Sequence, residues 1–105
     1  TFLPRAIGAG AEIRHNADVE QVLPDARGDR VTAVVYRDGA GRRKRVDGRQ
    51  IVLAAFTVQN ARLLLNSRSA SHPEGLGNNG DQVGRYVMTH PSTCIYGLFP
   101  APRSA

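Results

Sequence analysis

Three histidines carry the most versatile chemistry in this chain, because imidazole titrates near neutral pH and coordinates metals. His15 lies in a segment of alternating polarity with no acidic residue at a chelating spacing, and His72 stands before a proline in a polar loop. His90, within Thr89-His90-Pro91, is the strongest of the three candidates for a functional role. Since the histidines stand in unrelated local contexts, the sequence predicts no metal site.

The candidate nucleophiles are also poorly placed for catalysis. Cys94 is the only cysteine, so neither a disulfide within the chain nor a zinc site built on cysteines can form. Neither Ser67 nor Ser92 lies in the G-x-S-x-G pattern that activates a serine in many hydrolases. We therefore assign no catalytic residue to this chain, and a single thiol does not identify the compartment.

The chain is basic, and almost all of its positive charge is arginine. Its 14 Lys and Arg residues against 9 Asp and Glu residues give a net charge of +5, and Lys44 is the only lysine. Such a balance favours an anionic partner, and residues 42–45 are the densest positive run. Since only Tyr36 offers a stacking aromatic near that run, we expect a solvated strand edge rather than a nucleic-acid site. A stand-alone basic β-rich module that binds nucleic acid or protein stays as the alternative function.

The length and the apolar pattern exclude several protein classes. A chain of 105 residues is one domain or a part of one. The longest apolar run, residues 51–58, is far shorter than the roughly 20 residues that a bilayer-spanning helix needs, so the sequence predicts no membrane span. Residue 1 is not Met and no secretory pattern follows it, so we expect a chain that begins within a longer protein or has been processed.

The first half of the sequence predicts a β-meander, and the whole predicts an α/β fold. Residues 1–10 are expected to be the end of a helix that glycines stop. Residues 11–47 alternate in polarity and contain two turn sequences, at 25–29 and 38–41. This pattern predicts a strand and a three-stranded antiparallel meander.

A buried strand and a helix are expected next, over residues 50–67. The continuous apolar run at 51–55 is typical of a strand covered on both faces of a parallel sheet, so its neighbours must lie outside the chain. Thr57 is expected to cap the helix that follows. The composition of residues 68–91 predicts an irregular loop rich in Gly and Asn. Residues 92–105 are expected to be the start of the next segment.

One arrangement of segments resembles a known family. The apolar strand that leads into residues 54–67 is accompanied, in order, by residues 16–22, 75–79 and 83–91. Together they resemble the flavin-binding domain of the glucose-methanol-choline oxidoreductases, a domain of the FAD/NAD(P)-binding class. The likeness is strongest to the gluconate 2-dehydrogenase flavoprotein branch, in which an aromatic residue occupies the place of Phe56.

The resemblance implies FAD as the cofactor and indicates three residues that contact it. Val19 matches a position whose backbone N–H and C=O read the adenine edge of FAD. Ala54 and Ala55 match small residues that let the end of the strand approach the cofactor. The structural alternatives are an ordinary strand residue for Val19 and core packing for the two alanines.

Two parts of that family's machinery are not in this sequence, namely the G-x-G-x-x-G phosphate-binding fingerprint on an N-terminal strand-helix unit and the C-terminal segment with its catalytic histidine. The resemblance therefore implies a partial FAD-binding domain over residues 1–105, inactive alone, whose partner is the remainder of its parent chain. The implied parent reaction is hydride transfer to flavin from a CH–OH group of a small-molecule sugar, sugar acid or alcohol. His90 is expected to order a loop by hydrogen bonding.

Overall fold

The computed structural model describes residues 2–98 of the chain, so Thr1 and residues 99–105 are outside the description. Within those residues it contains two helices and three strands in the predicted order. They are α1 (Phe2–Gly8), β1 (Asp18–Pro24), β2 (Val31–Arg37), β3 (Arg43–Asp47) and α2 (Thr57–Asn66). Residues 92–98 have no regular structure, and the rest of the predicted next segment lies outside the described residues.

The three strands form the predicted antiparallel meander, with the spatial order β1-β2-β3. The first turn is closed by the N–H of Asp25, which donates to the carbonyl of Arg30 at 2.7 Å. The carboxylate of Asp25 also accepts the N–H of Asp29 at 3.0 Å, which is the turn chemistry that aspartate favours. Strand β1 begins only at Asp18, so the alternating residues before it are irregular rather than extended pairing partners.

The second turn depends on Asp38. Its Oδ1 accepts the N–H groups of Ala40 and Arg42, at 3.0 and 2.9 Å, while Oδ2 accepts the Nε of Arg42 at 3.0 Å. The backbone N–H of Arg42 is the main cause that lowers the pKa of the Asp38 carboxyl. Gly41 supplies the positive φ of 77° that the turn requires before β3.

Helix α2 packs at the outer edge of β1 through one buried serine. The Oγ of Ser67, just after α2, accepts the N–H of Val22 at 2.8 Å and donates to the carbonyl of Leu63 at 2.5 Å. Val22, Leu63 and Ala33 are the buried apolar residues of the described chain, and Ser67 is 0% exposed beside them. The small core therefore lies between α2 and the first two strands.

The predicted buried strand at residues 51–55 is not formed in this structure. The segment has no partner in the sheet, and the side chain of Val52 is 85% exposed. A strand exists only when its N–H and C=O groups pair with a neighbour, and none of the described strands lies beside this segment. The lack of a partner strand within residues 2–98 agrees with the expectation that neighbours of this segment must lie outside the chain.

The start of α2 also differs from the expectation. Thr57 is the first residue of the helix, and the preceding position is held by Phe56 with φ 70° and ψ 161°. No side chain caps the free N–H groups of the first turn, because the benzyl side chain of Phe56 has no acceptor. The prediction that Thr57 caps α2 is therefore wrong.

The irregular loop after α2 is held by backbone and amide contacts, as its composition predicts. Asn78 is 5% exposed, and its side chain donates to the carbonyl of Glu74 at 3.0 Å and accepts the N–H of Val83 at 2.9 Å. Gly75 adopts a φ of +104° against the backbone of α2. Gly77 and Gly84 also have positive φ, and so do Asp81 and Tyr86 in the same loop.

Much of the apolar surface of this chain is uncovered. The radius of gyration is 20.8 Å, against about 13 Å for a compact domain of this length. Large apolar side chains that are more than half exposed occur in both helices and in the last part of the loop, among them Phe2, Val58, Tyr86, Val87 and Met88. No helix among residues 2–98 has the length and apolarity needed to cross a bilayer.

Candidate functional site

Val19, the first residue predicted to contact the cofactor, lies on the edge strand β1 opposite Tyr36. Val22 pairs with Val34 on the same strands, and its N–H is directed away from β2, toward the end of α2. Val34 and Tyr36 are two residues apart, so the alternation of an antiparallel ladder gives Val19 the same orientation as Val22. A β-bulge between them accounts for the odd spacing. The N–H and C=O of Val19 therefore face the outer edge of the sheet.

Two contacts set the direction of α2 relative to β1. Arg62 approaches Asp18 at 4.0 Å, and Ser67 bonds to Val22 at 2.8 Å, so the helix runs in the same direction as the strand. The five steps from Thr57 to Arg62 correspond to about 7.5 Å of helix rise. The start of α2 thus lies at the Asp18 end of β1, which is also the end that carries Val19.

The two predicted alanines come directly before that helix start. Both Ala54 and Ala55 are exposed, so core packing within the described chain does not explain them. The N–H of Ala55 donates to Oδ1 of Asn60 at 2.9 Å, and Nδ2 of Asn60 donates to the carbonyl of Leu53 at 3.3 Å. The three predicted residues therefore share one end of the β1–α2 unit.

Asn60 is the residue of this site that sequence analysis missed. A signal was available, because asparagine is a poor residue for the interior of a helix and commonly bonds to nearby backbone. Its side chain is partly buried, and it reaches back to residues 53 and 55 instead of to solvent. An asparagine one turn inside a predicted helix therefore indicates a contact with the segment that precedes it.

A cleft of about 390 Å³ lies on the sheet face that includes Val19. Arg14 crosses one side of it, donating to the hydroxyl of Tyr36 at 3.3 Å and pairing with Glu12 at 2.7 Å. The hydrogen bond from Arg14 lowers the pKa of Glu12, and that bond raises the pKa of Arg14 in turn. The apolar lining of the cleft comes from all three strands and the segment before them: Ala17, Val19, Val34 and Val46.

The histidines do not form a cluster in the described part of the chain. The Nδ1 atom of His15 lies 3.1 Å from the amide nitrogen of Asn16, and that of His72 lies 3.0 Å from the hydroxyl of Ser71. Residues 2–98 contain no group of three His, Cys, Asp or Glu side chains that could hold a metal ion. His90 is exposed and has no hydrogen bond within the described part of the chain, so the loop-ordering contact expected of it is not present here.

The basic run on β3 is matched by carboxylates of the same sheet. Arg37 and Arg43 share the carboxylate of Glu20, at 2.7 and 3.1 Å, and Arg45 pairs with Asp47 at 2.6 Å. Arg43, Arg45 and Asp47 are exposed on the edge strand β3, as the solvated-edge interpretation predicts. Because the charges alternate in sign across this surface, it does not favour the alternative of a module that binds polyanions.

The residues present fit the adenine part of the implied FAD. Adenine offers a donor beside an acceptor on its edge, which an outward-facing N–H and C=O on one strand can match. Val19 supplies such a pair, and the methyl side chains of Ala54 and Ala55 leave the adjacent surface open. The G-x-G-x-x-G spacing of residues 75–80 lies in the loop after α2 and not between a strand and a helix, so it is not the pyrophosphate fingerprint. Val19, Ala54 and Ala55 therefore account for one part of a dinucleotide site.

Comparison with known proteins identifies the family. The family model described as GMC oxidoreductase matches residues 1–92. The chain is 36% identical over 91 residues to the 2-methyl-1,2-propanediol dehydrogenase of Mycolicibacterium austroafricanum, a match that covers 86% of this chain and 16% of that enzyme. It is 37% identical over 82 residues to the fructose dehydrogenase large subunit of Gluconobacter japonicus, with 78% of this chain and 15% of that subunit covered.

A third relative is the paromamine 6'-oxidase of Streptomyces fradiae, 39% identical over 84 residues, with 79% of this chain and 16% of that enzyme covered. The chain thus spans about one sixth of the length of these relatives. The relatives are named as dehydrogenases and an oxidase, which agrees with the oxidoreductase that the residue pattern resembles. With residues 1–92 matched, the chain belongs to the GMC oxidoreductase family and forms part of that family's N-terminal FAD-binding domain.

Proposed function

We propose that this chain is part of an FAD-dependent oxidoreductase that oxidises a CH–OH group by hydride transfer to flavin. The observation that carries the proposal is the family match over residues 1–92, together with the position of Val19 on the edge strand β1. The remainder of the parent enzyme supplies the phosphate-binding loop and the base that takes the hydroxyl proton. The chain by itself is inactive, because none of its residues is assigned a catalytic role.

The proposed substrate is an alcohol, a sugar or a sugar acid. Two of the relatives are named for a diol and for fructose, which supports a hydroxylated small molecule. Within the family we place the protein nearest to the gluconate 2-dehydrogenase flavoproteins, and the aromatic Phe56 before α2 supports that placement. When bound, the flavin accepts the hydride that leaves the substrate carbon.

The residues of this chain hold the nucleotide part of the cofactor. The backbone N–H and C=O of Val19 bind the adenine edge, so most side-chain changes at Val19 leave the contact intact. Ala54 and Ala55 permit close approach, because a side chain larger than methyl at the end of this segment occupies the space of the nucleotide. Both alanines are exposed in this chain, so a ligand or the rest of the enzyme can cover them.

Ala55→Leu in the full-length enzyme should weaken FAD binding by about 10- to 100-fold. Overpacking at a tight contact costs roughly 1–3 kcal/mol, which corresponds to one to two decades in the dissociation constant. The measurement is an FAD titration of the apo-enzyme, followed by flavin fluorescence. Ala70→Leu, the same change at an exposed loop position, is the matched control and should bind FAD like the wild type. Equal dissociation constants for the two variants would show that Ala55 does not approach the cofactor.

A further inference from the structure

Asn60 is bonded to three backbone groups in the segment before α2. Its side chain donates to the carbonyl of Leu53 at 3.3 Å and accepts the N–H of Ala55 at 2.9 Å. Its backbone N–H donates to the carbonyl of Phe56 at 2.9 Å. One residue in the second turn of the helix therefore contacts three of the four residues that lead into it.

The bond to Phe56 is the first ordinary backbone hydrogen bond of the helix, whereas the two side-chain bonds are not an ordinary helix cap. A capping side chain lies at the start of a helix and accepts N–H groups of the first turn, whereas Asn60 lies inside α2 and bonds to residues five and seven positions upstream. The N–H groups of the first turn receive no side-chain cap. The amide of Asn60 is thus used to fix the path of residues 53–55 rather than to complete the helix.

No other hydrogen bond within residues 2–98 fixes that path. The backbone groups of Leu53, Ala54 and Ala55 take part in no other hydrogen bond, and the segment has no partner strand in the sheet. The next residue, Phe56, has φ 70° and ψ 161°, a conformation that costs a non-glycine residue free energy and that persists only when its surroundings impose it. Asn60 bonds on both sides of this junction.

We propose that Asn60 is a positioning residue for the cofactor, which holds Ala54 and Ala55 in the path that lets the nucleotide approach. The inference rests on the proposed function, since it gives Asn60 a role in a site that Ala54 and Ala55 form. Ser67 fixes the other end of α2 to β1 two residues after the bulge that follows Val19. Helix α2 therefore sets the position of the alanines relative to the strand edge, and Asn60 is the link at the alanine end.

The test compares Asn60→Ala with Asn66→Ala in the full-length enzyme. Asn66 has the same side chain on the same helix, is exposed, and its side chain makes no hydrogen bond in the described chain, so it is a matched control. Each variant is titrated with FAD, and the visible circular dichroism of its bound flavin is recorded. The exchange of amide hydrogen in a peptide that spans residues 53–58 is measured on the apo-enzyme by mass spectrometry.

Asn60→Ala should raise the FAD dissociation constant about tenfold, equivalent to about 1.4 kcal/mol, and should change the dichroism of the flavin. It should also speed exchange in the peptide that contains Ala55, while Asn66→Ala resembles the wild type in all three measurements. Asn60→Asp keeps the acceptor for Ala55 and loses the donor to Leu53, so it should fall between Asn60→Ala and the wild type even if the alanine variant folds poorly.

Two results separate this inference from the function on which it rests. If the wild type binds FAD, and Asn60→Ala and Asn66→Ala both bind it as tightly as the wild type does, Asn60 has no positioning role. If the wild type binds no FAD but exchange near Ala55 still rises in Asn60→Ala, the contact is real and the proposed function is wrong. Loss of FAD affinity in Asn66→Ala to the same degree as in Asn60→Ala overturns the inference, because the effect then belongs to helix stability.

Discussion

Replacing Gly75 by Ala should lower the free energy of unfolding of the full-length enzyme by about 2–4 kcal/mol. A Cβ at this position would lie 2.8 Å from the carbonyl oxygen of Leu64 and 2.9 Å from the Cα of Leu65, both of them backbone atoms of α2. Overpacking of this kind costs roughly 1–3 kcal/mol, and the φ of +104° adds about 1 kcal/mol for a residue with a side chain. The loop cannot withdraw easily, because the N–H of Leu76 donates to the same carbonyl of Leu64 at 2.9 Å.

Gly77 provides the matched control for this prediction. It also has a positive φ, of +70°, but a Cβ added there would meet no atom within 4 Å. Gly77→Ala should therefore lose about 1 kcal/mol from backbone strain alone. Denaturant unfolding of both variants beside the wild type measures the difference. Equal losses for the two substitutions would mean that the loop does not pack against α2 as described.

Ser67→Ala should destabilise the enzyme by about 1–3 kcal/mol, which is large for the loss of one hydroxyl. The hydroxyl is fully buried, and its removal leaves the N–H of Val22 without a partner where water cannot reach it. An unpaired buried donor costs its desolvation free energy, which exceeds the modest net gain of an ordinary hydrogen bond. The change also frees the end of α2 from the edge of β1.

Ser71→Ala separates this effect from the general loss of a serine. Ser71 is exposed, and its hydroxyl bonds only to the neighbouring Ser69 and His72 within the described chain. Its replacement should change the free energy of unfolding by less than about 0.5 kcal/mol. The same denaturant titrations measure both serine variants. A Ser67→Ala enzyme as stable as Ser71→Ala would argue against the bond between Ser67 and β1.

The meander was predictable because its determinants are local. Asp25 and Asp38 accept N–H groups of the turns in which they stand, and alternating side chains around them specify paired strands. The apolar run at residues 51–55 was different, because an apolar run indicates only that the segment needs neighbouring elements to cover it. Those neighbours are not among residues 2–98, so the run forms no strand in this structure.

The candidate site was predictable only in part, and for a physical reason. Val19, Ala54 and Ala55 were predicted through resemblance, since a backbone contact and two methyl groups have no chemical signature of their own. That they share one end of the β1–α2 unit follows from Arg62 and Ser67, which meet β1 across a long stretch of sequence. The role of Asn60 depends on where its amide points, which no residue spacing specifies.

The most direct test of the central claim is the flavin of the full-length enzyme. We expect a yellow protein that contains about one FAD per chain, consistent with a single nucleotide site in this family's domain. Under anaerobic conditions, its visible flavin band should bleach when a diol, a sugar or a sugar acid is added, because hydride transfer reduces the flavin. A well-folded enzyme that takes up no FAD on titration, or whose bound flavin none of these compounds reduces, would contradict the account.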